Sequence, residues 1–209
     1  MSKKSLEPAK VELLVRLVVT NKDGTVESDT GHIKSHSFVK QFLEVICAYM
    51  LQGGLASPYQ SIHDVSNNAI SIPSIGYGIG RDRIMTIHGA IDDITKGIVV
   101  GTGTNAEGNT DYALQTICAQ GSGSNQFDYG EQGFTEPAVV GANVDFVLTR
   151  ALYNASGSSI TVNEIGIYMV VSPSITGYAY FCAVRDAITG VAVAATKTLT
   201  VQYTWRTTV

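Results

Sequence analysis

Charged residues, long apolar runs and metal-binding cysteine spacings are all scarce in this chain of 209 residues. Charged residues make up 15% of the chain and the formal net charge is −4. Because proteins grip phosphate backbones with clustered basic residues, we expect no nucleic-acid partner. No run approaches the roughly 20 apolar residues that a membrane-spanning helix needs, and no secretory signal follows Met1. The sequence therefore predicts a protein made in the cytoplasm, without a membrane span.

The cysteines are too few and too scattered to indicate a metal site or a disulfide framework. Cys47, Cys118 and Cys182 are an odd number, lie in apolar surroundings and form no CxxC pair. A chain of this length buries a core without metals or disulfides. We therefore predict buried, reduced thiols and no cofactor.

One glycine-rich segment, residues 103–110, almost has the spacing of a phosphate-binding loop. Asn109 stands where that loop needs its lysine, and Glu107 adds a carboxylate that repels phosphate. The segment follows the apolar residues 98–100, so we interpret it as a loop between two strands.

Histidine and carboxylate spacings give only weak indications of a metal site. His32 and His36 lie four residues apart, but they precede the predicted helix and have no glutamate between them as in an HExxH motif. Asp82, Asp92 and Asp93 lack the spacing of a calcium-binding loop. We predict no metal site.

Catalytic motifs are equally weak. His63 is followed by Asp64, and His88 lies near Asp92, but no serine or cysteine near them has a nucleophile-elbow sequence. A hydrolase using these histidines is one hypothesis, and the absence of a recognisable nucleophile favours a protein that is not an enzyme.

The N-terminal part predicts an arm, a hairpin and one helix. Residues 1–10 are polar and predict a flexible arm. Alternating apolar residues then predict a strand that ends before a turn at Asp23 and Gly24, and residues 25–33 return as a polar strand. A helical period begins near Phe38, with Ser37 as its cap, and Gly53 ends it. The strand residues predicted to share one face are Val11, Leu13, Val15, Leu17 and Val19.

The remaining chain divides into an excursion and a β-rich module. Residues 53–83 are dense in Gly, Ser, Asn and Pro and predict an extended excursion or linker with at most one short strand. Residues 84–209 contain short alternating segments separated by turn residues, and we expect them to form one integrated domain with residues 11–52. The fold prediction is mainly β, an antiparallel sandwich or jelly-roll-like module with one N-terminal helix. The predicted strands are 84–90, 97–101, 143–153, 160–171, 178–185 and 197–208.

Several stretches together resemble small structural proteins of tailed bacteriophages, found among tail, fibre and capsid-decorating components. These stretches are residues 96–104, 111–114, 163–168 and 198–205, with a looser likeness over residues 23–46. The resemblance implies a homo-oligomeric virion part that docks onto other virion proteins, and it supplies no catalytic residues.

Two further expectations concern partners. We expect contacts with other subunits at the arm, at the excursion and at the C-terminal strand, because strand edges offer unpaired main-chain groups. The alternative function is a receptor-binding or glycan-binding tip that uses tyrosines such as Tyr129 and Tyr178 to contact host sugars. Asn154 begins a glycosylation pattern, but without a secretory signal we interpret it as a turn residue.

Overall fold

Strands dominate the computed structural model, which describes residues 10–36, 38–50, 60–72, 85–174 and 177–208. The described residues form fourteen strands and one helix. The mainly β fold with a single helix is therefore confirmed. The elements are β1 (Lys10–Thr20), β2 (Val26–Asp29), β3 (Ile33–Lys34), α1 (Lys40–Met50), β4 (Gln60–His63), β5 (Ala69–Ile72), β6 (Gly97–Gly101), β7 (Ala119–Gln120), β8 (Gln126–Tyr129), β9 (Gly133–Phe134), β10 (Ala138–Val140), β11 (Asn143–Tyr153), β12 (Ile160–Ser174), β13 (Gly177–Val193) and β14 (Thr198–Thr208).

A large sheet is built around β14. Its strand order is β2-β1-β14-β11-β8-β7, while β3 pairs with β1, and β9 and β10 pair with β11. β14 pairs antiparallel along its whole length with β1 on one side and β11 on the other. β14 therefore has no free edge for pairing with a strand of another subunit, and contacts of its side chains with other subunits stay a prediction.

The alternation read in the first strand is confirmed. Leu13, Val15, Leu17 and Val19 are buried, whereas the intervening residues are partly exposed. The predicted turn is present, and Gly24 has φ +85°, a conformation that glycine adopts at low cost. β2 returns beside β1 and is exposed throughout, as its polar sequence predicts.

A small sheet, in the order β13-β12-β6, packs on the large one. Side chains from both sheets form one core, to which Val15, Val45, Ile98, Ile165 and Val201 belong. This core contains residues from the predicted segments 11–52 and 84–209. The antiparallel sandwich predicted from the sequence is confirmed.

Helix α1 closes one side of the core. Val45 is buried, and so is Val39, just before the helix begins. Phe38, predicted within the helix, instead forms an isolated bridge with Val184 of β13. The proposed cap, Ser37, lies outside the described residues.

Strand predictions differ in accuracy along the chain. The predicted bounds of 97–101 and 143–153 match β6 and β11, while β12 and β13 run further than predicted. The segment 84–90 is not a strand, since only Thr86 pairs, with Val170. Within the described part of the excursion, β4 and β5 form a hairpin where at most one strand was expected. The arm residues 1–9 and the rest of the excursion lie outside the described residues.

Candidate interaction surface

One border of the large sheet is apolar and exposed. It consists of β9 and β10, and we call it the apolar border. Phe134, Val139 and Val140 are 66%, 78% and 54% exposed. Within the part of the chain that the structure describes, β10 pairs with β11 alone. Its outer side is therefore a free strand edge without a charged side chain in β9 or β10.

The free edge of β10 presents the main chain of Val139. A two-residue turn connects Val140 to Asn143, and Gly141 in that turn has φ +63°. Hydrogen-bonded and non-hydrogen-bonded pairs alternate along antiparallel strands, starting from the pair that closes the turn. The next pair, Val139 with Val144, is then non-hydrogen-bonded. The N–H and C=O of Val139 consequently point away from β11.

The core-facing side of the large sheet continues beyond the core at this end. Val11, Thr207, Val144 and Val139 lie opposite one another in neighbouring strands and so share one face. Val11 is 71% exposed although it continues the buried row of β1. We call Val11, Thr207, Val144 and Val139 the overhang, because they lie beyond the described side chains that cover the rest of this face.

Aromatic rings separate the overhang from the core. Trp205 of β14 stacks on Phe146, with centroids 5.5 Å apart, and contacts Phe38 and Phe42 at 5.2 and 5.7 Å. Phe38 and Phe42 stack on each other at 4.6 Å. These contacts fix the end of the core, so the overhang beside it is held on rigid strands.

The opposite border of the large sheet, formed by β2, is polar. Glu27 pairs with Lys197, and Asp29 pairs with Arg16. The Arg16 hydrogen bond and the amide of Gly31 hold the pKa of Asp29 well below its usual range. A register shift between Val19 and Thr20 also interrupts the pairing of β2 with β1. Charges and irregular pairing are features that protect strand edges from further pairing.

Both edges of the small sheet are occupied by other segments of the chain. The amide of Val39 donates to the carbonyl of Ala183 in β13 at 3.1 Å, and the amide of Cys118 donates to the carbonyl of Val100 in β6 at 2.9 Å. Each edge of the small sheet is therefore covered, at least in part, by another segment of the chain.

A buried carboxylate holds the long connection from β6 to β7. Glu164 of β12 is fully buried. It accepts hydrogen bonds from the amides of Gly103, Gln115 and Thr116 at 3.2, 2.9 and 2.7 Å. Arg185 of β13 donates to it from Nε at 3.0 Å. The carboxylate thus neutralises a cation and ties two ends of one connection to the small sheet.

Arg185 extends the same cluster. Its guanidinium donates to Asp111 at 2.6 Å and to the carbonyls of Asn105 and Ala106 at 3.0 and 3.2 Å. Burial lowers the pKa of Arg185, but the hydrogen bonds and charges of Asp111 and Glu164 raise it overall. The cluster of Glu164, Arg185 and Asp111 has a structural role, since its three side chains bond to main-chain groups and to each other.

Asp186 makes a second buried connection. Its carboxylate accepts from the Ser35 hydroxyl at 2.8 Å, from the amide of His36 at 2.6 Å and from the Tyr203 hydroxyl at 2.9 Å. Burial, followed by the charge of Asp186, raises the pKa of Tyr203 well above its ordinary value. The segment before α1 is thereby joined to both sheets.

Arg150 lies in the core, and its guanidinium donates hydrogen bonds to main-chain carbonyl groups of the described residues. The distances are 2.8 Å to Gly130, 2.9 Å to Ile98, 2.7 Å to Ala90 and 2.6 Å to Asp93. Burial lowers its pKa. The side chain therefore fixes the turn before β6 against β8 and β11.

Tyr129, proposed as a sugar-contacting residue, is in the core. It is 1% exposed, its ring lies under the Arg150 guanidinium, and its hydroxyl donates to the carbonyl of Cys118 at 2.9 Å. Tyr129 therefore cannot contact a glycan, and that assignment is wrong. Tyr178, the other named tyrosine, is 74% exposed.

The glycine-rich segment 103–110 lies in the connection between β6 and β7, as its strand-to-strand interpretation predicts. Glu107 accepts from the amide of Ala187 at 3.3 Å and lies 3.1 Å from Nδ1 of His36. The carbonyl of Asn109 accepts from the amide of Lys40 at 2.7 Å. These contacts pack the loop against β13 and the start of α1.

The other histidines and acids do not converge. His88 lies 3.8 Å from Glu131, and Asp93 accepts from Thr95 and Lys96. Among the described residues no group of three or more His, Cys, Asp or Glu side chains is placed to hold a metal ion. Asp82 lies outside those residues.

The burial of the cysteine side chains and of Asn154 tests what the sequence predicted for them. Cys118 and Cys182 are buried free thiols, as expected, whereas Cys47 is only partly buried, so full burial is wrong for it. Burial, with a contribution from Glu164, raises the pKa of Cys118 to about 12. Asn154 is fully buried and donates to the carbonyls of Ser158 and Val193, consistent with its prediction as a turn residue.

Comparison with protein-family models, curated proteins and solved structures finds no match to this chain. None of the helices described here is long and apolar enough to cross a membrane.

The buried charged residues Glu164, Arg185 and Arg150 could not be identified as such from the sequence. Glu164 and Arg185 are 21 positions apart and meet only because β12 pairs with β13. A charged residue inside an otherwise apolar strand was the available signal, since such residues are rarely buried unless paired. Arg150 in β11 carries the same signal.

Proposed function

We propose that this chain is a structural subunit of a bacteriophage particle. It associates with copies of itself and with neighbouring particle proteins, and it catalyses no reaction. Its place of action is then the virion, after synthesis in the host cytoplasm. The sequence resemblance over residues 96–104, 111–114, 163–168 and 198–205 supports the phage context.

The observation that carries the proposal is the apolar border. Exposed strand edges bind other strands through main-chain hydrogen bonds, and proteins usually block such edges with charge. Here β2 carries that protection and the apolar border lacks it. A strand edge without charged side chains is expected of a protein that uses the edge for assembly.

The use of the ionisable groups supports a non-catalytic role. Glu164, Arg185, Asp186 and Arg150 are buried and bonded to main-chain groups or to one another. Groups committed in this way stabilise loops, whereas a catalytic group needs access to a substrate.

Sedimentation velocity over a wide range of protein concentration tests the proposal, with negative-stain imaging of the heaviest species. We expect discrete oligomers, with closed contacts giving rings and contacts that do not close giving tubes. A chain that stays monomeric at every concentration would contradict self-association.

A further inference from the structure

We infer that two copies of the chain join by pairing β10 with β10 of a second copy, antiparallel about a two-fold axis at Val139. The inference rests on the proposed function and specifies its first contact. The pairing joins the two large sheets into one continuous sheet.

Main-chain geometry makes β10 complementary to itself. The outward N–H and C=O of Val139 face the same groups of the second copy when the axis passes between the two valines. Each Val139 then donates one hydrogen bond and accepts one, as in a hydrogen-bonded antiparallel pair. In this register Ala138 lies opposite the second copy's Val140, so the three-residue ladder is closed on itself.

The surrounding side chains suit a copy of the same surface better than a charged partner. β9 and β10 contain no charge, so placing two apolar borders together desolvates no ion in either strand. Val139 shares its face with the overhang, and Phe134, opposite Leu148, points to that face too. Pairing the strands therefore brings two exposed apolar surfaces side by side.

Both ends of the ladder are set by residues in the sequence. Between Phe134 and Ala138 the chain has one residue more than the facing part of β11, which places a bulge at residues 135–137. Pro137 has no N–H to extend the ladder on that side, and the turn at Gly141 ends it on the other. A ladder limited in this way favours one defined register.

The border formed by β2, here called the charged border, explains why the contact gives a closed dimer. A head-to-tail contact between the apolar border and the opposite border would need β10 to pair with β2, whose side chains carry the Glu27 and Asp29 ion pairs. A symmetric pairing uses the apolar border twice and leaves both charged borders in water. The expected unit is therefore a dimer and not an open filament of sheets.

Two lysine variants test the contact. Val139→Lys places a cation at the axis. Val26→Lys makes the same change in the charged border, at a valine that is 60% exposed. We expect Val139→Lys to weaken dimerisation by about tenfold or more and Val26→Lys to leave it unchanged. Sedimentation velocity measures both, and matching circular dichroism and melting curves show that each variant is folded.

Cross-linking tests the register even if the lysine variant fails to fold. In a hydrogen-bonded pair the two Cα atoms lie about 5.5 Å apart, within the range of a disulfide. In a Cys47→Ala background, Val139→Cys should form a covalent dimer under mild oxidation, and Val26→Cys should not.

The outcomes separate the contact from the general function. A wild-type oligomer that survives Val139→Lys, or a Val139→Cys chain that forms no covalent dimer, overturns the β10 contact and leaves assembly standing. A monomeric wild-type chain overturns both.

Discussion

The small sheet and the apolar border of the large sheet differ in how far their polar groups are hydrogen-bonded within the molecule. In the small sheet, Glu164 and Arg185 are buried and fully engaged, and neighbouring segments bond to both sheet edges. At the apolar border, no described strand pairs with the outer side of β10 at Val139, and Phe134 is exposed. The comparison predicts that the first region determines the stability of each molecule, whereas the second determines how molecules associate.

Raising the pH should have the largest effect on the buried region. Burial raises the pKa of Cys118, to about 12, and also those of Tyr168 and Tyr203. In the unfolded chain these groups ionise near pH 9 to 10, so the unfolded state loses protons first and stability falls as the pH rises above about 9. We expect cooperative unfolding before pH 12.

Far-ultraviolet circular dichroism and tyrosinate absorbance, recorded on the same samples, check this expectation. The part of the absorbance change that comes from the buried tyrosines, Tyr168 and Tyr203 among them, should accompany the change in circular dichroism. Tyrosines that all ionise near pH 10 while the strands persist would contradict it. Dimerisation should not change between pH 7 and 9, because no side chain in β9 or β10 titrates there.

Arg185→Met should cause the largest loss of stability among single substitutions. It leaves Glu164 buried without its cation, which typically costs about 3–5 kcal/mol. Urea unfolding measures the change. The matched control is Arg206→Met, which removes an arginine from the more exposed pair with Asp145 and should cost about 1 kcal/mol or less. Equal losses in the two variants would remove the distinction between buried and exposed ion pairs.

Arg150→Met should cost less, about 2–3 kcal/mol, because only some of the carbonyls that lose their donor are buried in β6 and the others lie in a turn that water can reach more easily. Ala90 and Asp93, two of those acceptors, are in such a turn before β6. Hydrogen exchange should show faster exchange in residues 89–98 than in β14. Uniform acceleration throughout the sandwich would indicate a global effect instead of a local one.

Phe134→Ser should have the smallest effect on stability and a clear effect on association. The side chain is exposed, so the free energy of unfolding of the monomer should change by no more than about 0.5 kcal/mol. The dimer should nevertheless weaken, because an apolar contact beside β10 is lost. Urea unfolding at low concentration and sedimentation at high concentration measure the two quantities separately. A large loss of monomer stability would show that Phe134 belongs to the core.

Regular strands could be predicted because the signal is local. The alternation from Leu13 to Val19 and from Leu199 to Tyr203 follows directly from one buried and one wetter face. The bounds of β6 and β11 are marked by neighbouring glycine and turn residues. The strands β7, β8, β9 and β10 are two to four residues long, too short for an alternating pattern to be distinguished from a loop.

Surface properties could not be predicted, because they depend on which segments meet. Val11 continues a core-facing row, but its exposure is decided by how far the covering layer extends. Tyr129 follows turn-rich sequence and is nevertheless buried, because Arg150 and the carbonyl of Cys118 meet it from distant segments. The protection of one border and the exposure of the other likewise follow from strand order.

The pairing of β1 with β14 has a consequence for the order in which the chain folds. Lys10 lies opposite Thr208, so β1 can pair early with β2 and β3 but meets β14 only after that strand has left the ribosome. Contacts this distant along the chain slow folding, and until they form the apolar row of β1 is more exposed to solvent. Folding of this sandwich is therefore expected to be slow and to be completed only after β14 has been synthesised.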